Sequence, residues 1–161
     1  MIDLLARLLG RAEAALGEAR PADAPALAAL HAASFRRGWS EDEMERLLLD
    51  RNVIAHRATF GREIAGFILS RLAAGEAEIL SVAVARRRQG RGVARRLLVL
   101  HLRRLAGLGV SAVFLEVETG NAAAQRLYAR AGFREVARRP GYYRQDAEQP
   151  LAAVVLRRDL N

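Results

Sequence analysis

The segment SVAVARRRQGRGVARRLL spans residues 81–98 and changes character twice. It begins as an apolar run typical of a strand, passes through a turn rich in arginine and glycine, and continues as an amphipathic helix. Gly90 and Gly92 lack side chains that block close approach, so backbone N–H groups at the helix start can face an anion at the positive end of the helix dipole. The pattern predicts a phosphate-binding turn, and an ordinary strand-to-helix turn is the alternative.

Two nucleotide-binding motifs are absent from this turn. The chain contains no lysine, so it has no P-loop motif G-x-x-x-x-G-K-[ST]. Residues 90–95 also lack the G-x-G-x-x-G spacing of dinucleotide sites. A ligand that carries a pyrophosphate therefore remains the first hypothesis.

A second patterned block, VFLEVETGNAAAQRLYARAGF, spans residues 113–133. Its alternation predicts a strand up to Thr119, and Asn121 is placed to cap a helix that Gly132 ends. In the strand, Glu116 shares a face with Phe114 and Glu118, opposite a purely apolar face.

The two blocks together resemble motifs of the GCN5-related N-acetyltransferase (GNAT) superfamily. Residues 87–92, RRQGRG, resemble its [QR]-x-x-G-x-[GA] pyrophosphate loop with Arg87 in the first position. Residues 113–133 resemble its LEV-x-x-x-N-x-x-A-x-x-L-Y-x-x-x-GF signature. This second block resembles in particular the RimI-type branch, which acetylates the N-terminal alanine of a ribosomal protein.

Periodicity along the chain predicts an α+β fold with a mixed, mainly antiparallel central sheet flanked by helices. The predicted helices span residues 21–35, 41–50 and 92–105, with a further helix after Asn121. The predicted strands lie near residues 18–20, at 52–59, 63–73, 76–84 and 113–119, and in a closing pair around a loop near Asp146. Turns are predicted at Gly61 and Gly75. The resemblance implies that the sheet splays open between the strand ending near Val84 and the strand carrying Glu116.

Length and composition predict one domain with an N-terminal extension. The 161 residues, 52% of them hydrophobic, suit a single core. Residues 1–17 are predicted to form an arm or short extra helix, too short and too charged to span a bilayer, and residues 18–161 one acetyltransferase domain. The chain has no cysteine, and its three histidines show no metal-ligand spacing, so we expect no metal and a cytoplasmic protein without membrane contact. His101 is interpreted as a packed helix residue.

The formal net charge of +8 suggests an acidic partner, but all 26 basic residues are arginine. An alanine- and arginine-rich chain without lysine has the bias of a GC-rich genome, which raises the charge without a selected partner. The arginine pairs recur along the chain and carry no interleaved aromatic platform, so the pattern does not argue for nucleic-acid binding.

The resemblance implies acetyl-CoA as the cofactor, with its pantetheine along an open strand edge and its pyrophosphate on the glycine turn. The residues implied in its binding are Val82, Val84, Arg87, Arg88, Gln89, Gly90, Arg91, Gly92, Val93 and Asn121.

Acetyl transfer to an amine requires a neutral nucleophile, stabilisation of an oxyanion and a proton for the departing thiolate. The resemblance implies Glu116 as the general base and Tyr128 as the general acid, with the backbone N–H of Val82 at the oxyanion. Glu78, on the strand before the glycine turn, is a rival base. With no cysteine and no Ser, His and Asp arrangement, direct attack in a ternary complex is expected.

For the acceptor, the resemblance implies Trp39, Tyr142 and Tyr143 as substrate-binding residues, the two tyrosines on a covering loop. The sequence departs from the family pattern in two places. The link between Val84 and Gly90 is about two residues shorter than in the family. Pro150 and Leu151 stand where the family commonly has acidic residues before its last strand. The expected substrate is a ribosomal protein's N-terminal amine. The alternative acceptors are a small-molecule amine and a lysine side chain. An alternative of another class is a non-catalytic module that binds acyl-CoA or associates with RNA.

Overall fold

The computed structural model describes residues 12–142 and 151–161 and confirms the α+β fold. The strands are β1 (Ala15–Glu18), β2 (Val53–Phe60), β3 (Glu63–Ala73), β4 (Glu76–Val84), β5 (Ala112–Glu118), β6 (Arg134–Tyr142) and β7 (Leu151–Asp159). The helices are α1 (Ala24–Ser34), α2 (Glu41–Leu49), α3 (Val93–Gly107) and α4 (Ala122–Arg130). Short 3-10 turns, Pro21–Asp23 and Arg86–Arg88, lie before α1 and α3.

The described strands form one sheet in the order β1-β2-β3-β4-β5-β7-β6. The pairing of β4 with β5 is parallel, and the other pairs are antiparallel. Gly61 and Gly75 adopt positive φ at the two hairpin turns, as predicted. Strands β3 and β4 have the predicted bounds, because each is an apolar run between strong turn signals.

The sheet opens between β4 and β5, which confirms the predicted splay. The two strands pair only through Glu76, Ala77 and Glu78 with Ala112, Val113 and Phe114. Beyond these residues the strands separate, so the edge of β4 from residue 79 onward has no strand partner on that side. This opening positions the candidate site.

Apolar side chains cover both faces of the sheet. One cluster joins α3 and the α4 end to the sheet through residues such as Leu97, Leu105 and Val113. A second cluster joins α1 and α2 to the opposite face through Leu27, Met44 and Phe67. The splay therefore lies between two packed layers.

Two segments differ from the sequence expectations. The first strand is Ala15–Glu18 rather than residues 18–20, and it pairs with residues 56–59 of β2. The position of this strand depends on its pairing with a distant segment, so the local sequence pattern predicted it a few residues too late. The division of the chain into residues 1–17 and 18–161 stays a prediction. Tyr142, expected on a covering loop, is the last residue of β6 instead. A register shift between Arg139 and Tyr142 accommodates Pro140, which has no N–H to pair.

His101 is buried, as predicted, and its ring also links β2 and β3 to α3 through hydrogen bonds. Its Nδ1 lies 2.8 Å from Nδ1 of His56 on β2, and its Nε2 lies 2.7 Å from Oγ of Ser70 on β3. Burial, and then the charge of His56, lower the pKa of His101 to about 3. The sequence showed no sign of this pairing, because the two histidines are 45 positions apart.

None of the helices in the described ranges combines the length and apolarity needed to cross a bilayer. In the same ranges, no group of three or more His, Asp or Glu side chains is placed to hold a metal ion.

Candidate active site

A cavity of about 920 Å³ occupies the splay. Its walls are residues 79–84 of β4 and 115–118 of β5, closed by the C-terminal end of α1 and by the start of α4. The predicted site residues that line this cavity are Val82, Val84, Gln89, Glu116, Asn121 and Tyr128, which are scattered along the sequence.

The open edge of β4 offers backbone hydrogen-bonding groups to this cavity. Ala85 donates its N–H to Ala65 of β3, and backbone direction alternates along a strand, so Val82 and Val84 turn theirs toward the opening. The carbonyl of Val84 accepts a hydrogen bond from Gln89 Nε2 at 3.0 Å. An extended ligand lying along β4 can complete the pairing that β5 leaves unmade.

The glycine turn lies where the open edge ends and α3 begins. Gly90 and Gly92 have φ of 72° and 78°, and Gly92 is the N-cap of α3, which has no side chain to cap the helix. The N–H groups of the first turn, Val93 included, have no partner within the helix. A Cβ at either glycine would meet no atom within 4 Å, so the space above the turn is open for a ligand.

Arg87 and Arg88 face the β2–β3 hairpin. Both guanidinium groups pair with the carboxylate of Glu63. The Arg88 guanidinium also lies 3.9 Å from the ring centre of Phe60. These contacts tie the turn to the sheet, a structural role that the sequence did not indicate.

Glu116 lies on the cavity wall with its carboxylate partly exposed. Its Oε1 accepts a charge-assisted hydrogen bond from Nε of Arg139 on β6 at 2.8 Å. Glu118 lines the same wall, whereas the rival Glu78 lies outside the cavity, where β4 still pairs with Phe114 of β5. Geometry therefore favours Glu116 over Glu78.

Tyr128 and Asn121 bring α4 to the cavity. The Asn121 side chain accepts the N–H of Ala124 at 3.1 Å, so it is an N-cap that also lines the cavity. Tyr128 is buried, packs edge-on against Phe133 at 5.5 Å between ring centres, and lines the cavity as well. Burial raises the pKa of Tyr128 to about 12, so its phenol stays protonated at neutral pH.

The acceptor side differs from expectation in its details. Trp39 stacks on His31 and is not among the cavity-lining residues, whereas Phe35, Arg36 and Arg37 of the same loop are. Tyr142 ends β6 opposite Leu151, and Tyr143 and Pro150 lie outside the described residues.

Sequence reasoning missed the arginines at positions 36, 37 and 139. Each owes its position to the packing of α1 or to the pairing of β6, so no local motif marks it.

The comparison with protein families matches residues 24–133 to the acetyltransferase (GNAT) family. The chain belongs to this family. The match covers both the glycine turn and the block from β5 to Phe133.

Two curated relatives share part of the sequence. The [ribosomal protein bS18]-alanine N-acetyltransferase of Haemophilus ducreyi is 34% identical over 80 residues, which are 50% of this chain and 55% of that protein. The mycothiol acetyltransferase of Mycobacteroides abscessus is 46% identical over 59 residues, 37% of this chain and 20% of that protein. The chain thus matches about half the length of the first relative and less of the second.

Solved structures resemble nearly the whole GNAT domain. The ribosomal-protein-S18-alanine N-acetyltransferase of Escherichia coli superposes with a TM-score of 0.83 at 25% identity, covering 91% of this chain and 94% of that one. Arabidopsis thaliana NAA60, solved in complex with acetyl-CoA, superposes with a TM-score of 0.81 at 20% identity, covering 91% of this chain and 98% of that one. The second likeness concerns the fold alone.

Proposed function

We propose that this protein transfers an acetyl group from acetyl-CoA to a primary amine, the N-terminal α-amine of a ribosomal protein being the preferred acceptor. The observation that carries the proposal is the meeting, in one cavity, of an unpaired strand edge, a carboxylate and a protonated phenol, with the uncapped N-terminus of α3 following the glycine turn at the end of that strand edge. The similarity to bS18-alanine acetyltransferases supports the acceptor class.

The residues present fit acetyl-CoA. The backbone of Val82 and Val84 would hold the pantetheine arm, and the N–H groups after Gly92 would hold the pyrophosphate. When bound, the cofactor supplies an acetyl thioester that amines attack directly. The N–H of Val82 faces the opening, where it can donate to oxygen as negative charge develops there.

Glu116 and Tyr128 divide the proton transfers. An α-amine has a pKa of about 8 and is largely protonated at neutral pH, so Glu116 accepts a proton from it to free the attacking lone pair. Arg139 pairs with Oε1 of Glu116 and orients the carboxylate. Burial raises the pKa of Tyr128 to about 12, so Oη holds a proton at neutral pH that it can donate toward the leaving thiolate.

The decisive experiment measures CoA release with acetyl-CoA and a peptide that carries the N-terminal sequence of the small-subunit ribosomal protein. The comparison is the same peptide with a blocked α-amine and an internal lysine. We expect release only with the free α-amine, and a fall in kcat of about 10²- to 10⁴-fold in Glu116→Gln.

Glu118→Gln and Glu78→Gln are matched controls, because each removes a carboxylate from the same sheet region. We expect both to retain activity close to that of the unaltered protein. A collapse in Glu78→Gln with Glu116→Gln active would reject the assignment of the base. Tight binding of acetyl-CoA with no release from any amine would reject the enzyme in favour of an acyl-CoA-binding module.

A small-molecule amine is the second candidate acceptor. The partial similarity to mycothiol acetyltransferase favours it, as do Arg36 and Arg37, which would attract an anionic small molecule to the cavity. A panel of amino sugars and polar amines in the same assay tests this candidate. Turnover by such an amine, with none by the peptide, would move the proposal to that class.

We also propose a second register for the pyrophosphate motif, which begins at Gln89 instead of Arg87. The pattern [QR]-x-x-G-x-[GA] also fits Gln89, Gly92 and Ala94, and this register is supported by the start of α3 directly after Gly92 and by the contacts of Arg87 with Glu63. It also gives the link after Val84 its two missing residues, so the first departure from the family pattern disappears.

The two registers make different predictions for Ala94. In the new register the position must be small, so we expect Ala94→Leu to raise the KM for acetyl-CoA at least about tenfold, which is the effect of losing one to two hydrogen bonds to the ligand. Ala94→Gly keeps the pattern and should change this KM little. Equal KM values in both variants would restore the register that begins at Arg87.

A further inference from the structure

His31 lies at the centre of an aromatic stack beside the acceptor side of the cavity. Its ring is 4.0 Å from the Trp39 ring at an interplanar angle of 11°, and 4.4 Å from the Phe35 ring at 29°. The His31 side chain is buried on α1, and Phe35 lines the cavity. The stack therefore connects the helix to the loop at residues 35–40.

A hydrogen bond sets the protonation state that this arrangement needs. Nδ1 of His31 accepts the backbone N–H of Trp39 at 3.0 Å. A ring nitrogen accepts only when it carries no proton, so the proton of the neutral ring lies on Nε2. A proton added to Nδ1 would place two donors face to face and would break this bond.

The loop is held on α1 by close packing as well. A Cβ at Gly38 would lie 2.8 Å from both Cα and Cβ of Ala32, so the loop backbone touches the helix there. At the loop's end, Ser40 and Glu43 exchange hydrogen bonds in a capping box that starts α2. The His31 bond thus holds the C-terminal part of the loop at Trp39, between the Gly38 contact and the Ser40 cap.

We propose that His31 is a positioning residue for the acceptor, which holds loop 35–40 against α1 through a hydrogen bond that one proton abolishes. The inference rests on the proposed function for the identity of the ligand that this loop meets. In the neutral state the loop keeps Phe35, Arg36 and Arg37 on the cavity wall. In the protonated state Trp39 loses its backbone anchor and the wall loosens.

The electrostatic surroundings give the sign of this effect. Burial lowers the pKa of His31, and the carboxylate of Glu43 on α2 opposes that shift. Glu43 itself lies near Arg37 and the Ser40 cap. Because the folded state favours the neutral ring, the anchor is complete above the ordinary value of 6.5 and is lost as the pH falls through the lowered pKa.

We call the hydrogen bond between His31 and the Trp39 backbone the latch. Fluorescence tests the latch without any substrate, because Trp39 is the only tryptophan of the chain. An imidazolium stacked on an indole quenches its emission. We expect the emission of the unaltered protein to fall on acidification, with a midpoint below 6.5, and acrylamide to quench Trp39 more strongly at the acidic end. His31→Asn places an amide oxygen at the position of Nδ1 without a titrating proton, so its emission should stay constant.

Kinetics at about pH 7.5, where the ring is neutral, test the positioning role. His31→Phe keeps the stack but removes the acceptor, and it should raise the KM for the acceptor amine about tenfold, the effect of one lost hydrogen bond, with the KM for acetyl-CoA unchanged. His31→Asn should restore the acceptor KM to within about twofold. Ala29→Asn, on the exposed face of α1, controls for the lower helix propensity of asparagine.

Each outcome decides one claim. A pH-independent emission in the unaltered protein, or the same titration in His31→Asn, overturns the latch. An unchanged acceptor KM in His31→Phe overturns the positioning role. Absence of acetyl transfer to every amine overturns the proposed function instead, and fluorescence and acrylamide quenching then decide the latch by themselves.

Discussion

Tyr128 serves packing and proton transfer with the same side chain. Its ring packs against Phe133 at the end of α4, while its position on the cavity wall brings the phenol to the splay. Burial raises its pKa to about 12, which removes the phenolate as a species at physiological pH. Tyr128 therefore carries a proton that it can donate and is not present as a phenolate that could accept one.

Substitution of Tyr128 by Phe separates these two roles. The ring and its contact with Phe133 remain, so we expect the free energy of unfolding to change by less than about 1.5 kcal/mol, the range for one hydrogen bond. The loss of the hydroxyl should lower kcat by about 10²-fold. CoA-release kinetics and chemical denaturation measure the two effects, and unchanged kcat would remove Tyr128 from the mechanism.

At the scale of elements, α3 is tied to the sheet by polar as well as apolar contacts. His101 projects from the buried face of α3 between Leu97 and Leu105 and reaches His56 on β2 and Ser70 on β3. One proton on each imidazole satisfies this chain, whereas protons on both Nδ1 atoms would place two donors face to face. Charging either ring would place a cation in an apolar layer, at a cost that burial makes large.

This network predicts acid sensitivity. The pKa of His101 is lowered from 6.5 to about 3, so its stabilising contribution is present above 6.5 and is lost as the pH falls toward 3. We expect the free energy of unfolding to fall by about 1.4 kcal/mol per pH unit in that window. Urea denaturation at several pH values measures the slope.

His101→Leu tests which group causes that slope. The variant should lose most of it, and it should be less stable near neutral pH because His56 and Ser70 lose their partner. His31→Asn, which leaves the network intact, is the control and should keep most of the slope. A His101→Leu variant with the full slope would assign the acid sensitivity to other groups.

At the scale of the whole molecule, the splay divides the sheet into two parts. Strands β1 to β4 form one part and β5, β7 and β6 the other, joined by the three paired residues of β4 and β5. Helix α3 packs against both parts. His101 of α3 contacts the first part, and apolar side chains of α3 belong to the same cluster as Val113 of the second part. A ligand between the parts would add contacts to both.

We therefore expect CoA to stabilise the whole fold. At a concentration of 100 times its Kd, the gain is about 2.7 kcal/mol, which raises Tm by roughly 5 to 10 °C for a chain of this size. Thermal unfolding followed by circular dichroism measures the shift, with Ala94→Leu as the variant in which it should be smaller. No shift at saturating CoA would contradict binding in the splay.

The sequence alone determined the local elements and the chemistry that they carry. The bounds of β3 and β4, the glycine turns, the start of α3 and the face shared by Glu116 and Glu118 all follow from patterns within a few residues, because hydrophobic period and turn chemistry act locally. These patterns also carried the resemblance to the acetyltransferase family. In the sequence-based prediction Arg87 stands first in the pyrophosphate motif, although the same residues also permit the alignment that begins at Gln89.

Only the tertiary structure decided which distant side chains meet. The pairs of His56 with His101, Arg139 with Glu116, and Arg87 with Glu63 join residues 23 to 45 positions apart. In each pair the partners lie on different elements, so their meeting depends on strand register and on how the helices pack against the sheet. The predicted position of strand β1 was wrong for the same reason. An edge strand forms where its neighbour offers unpaired N–H and C=O groups, and the sequence pattern of four residues contains no information about that neighbour.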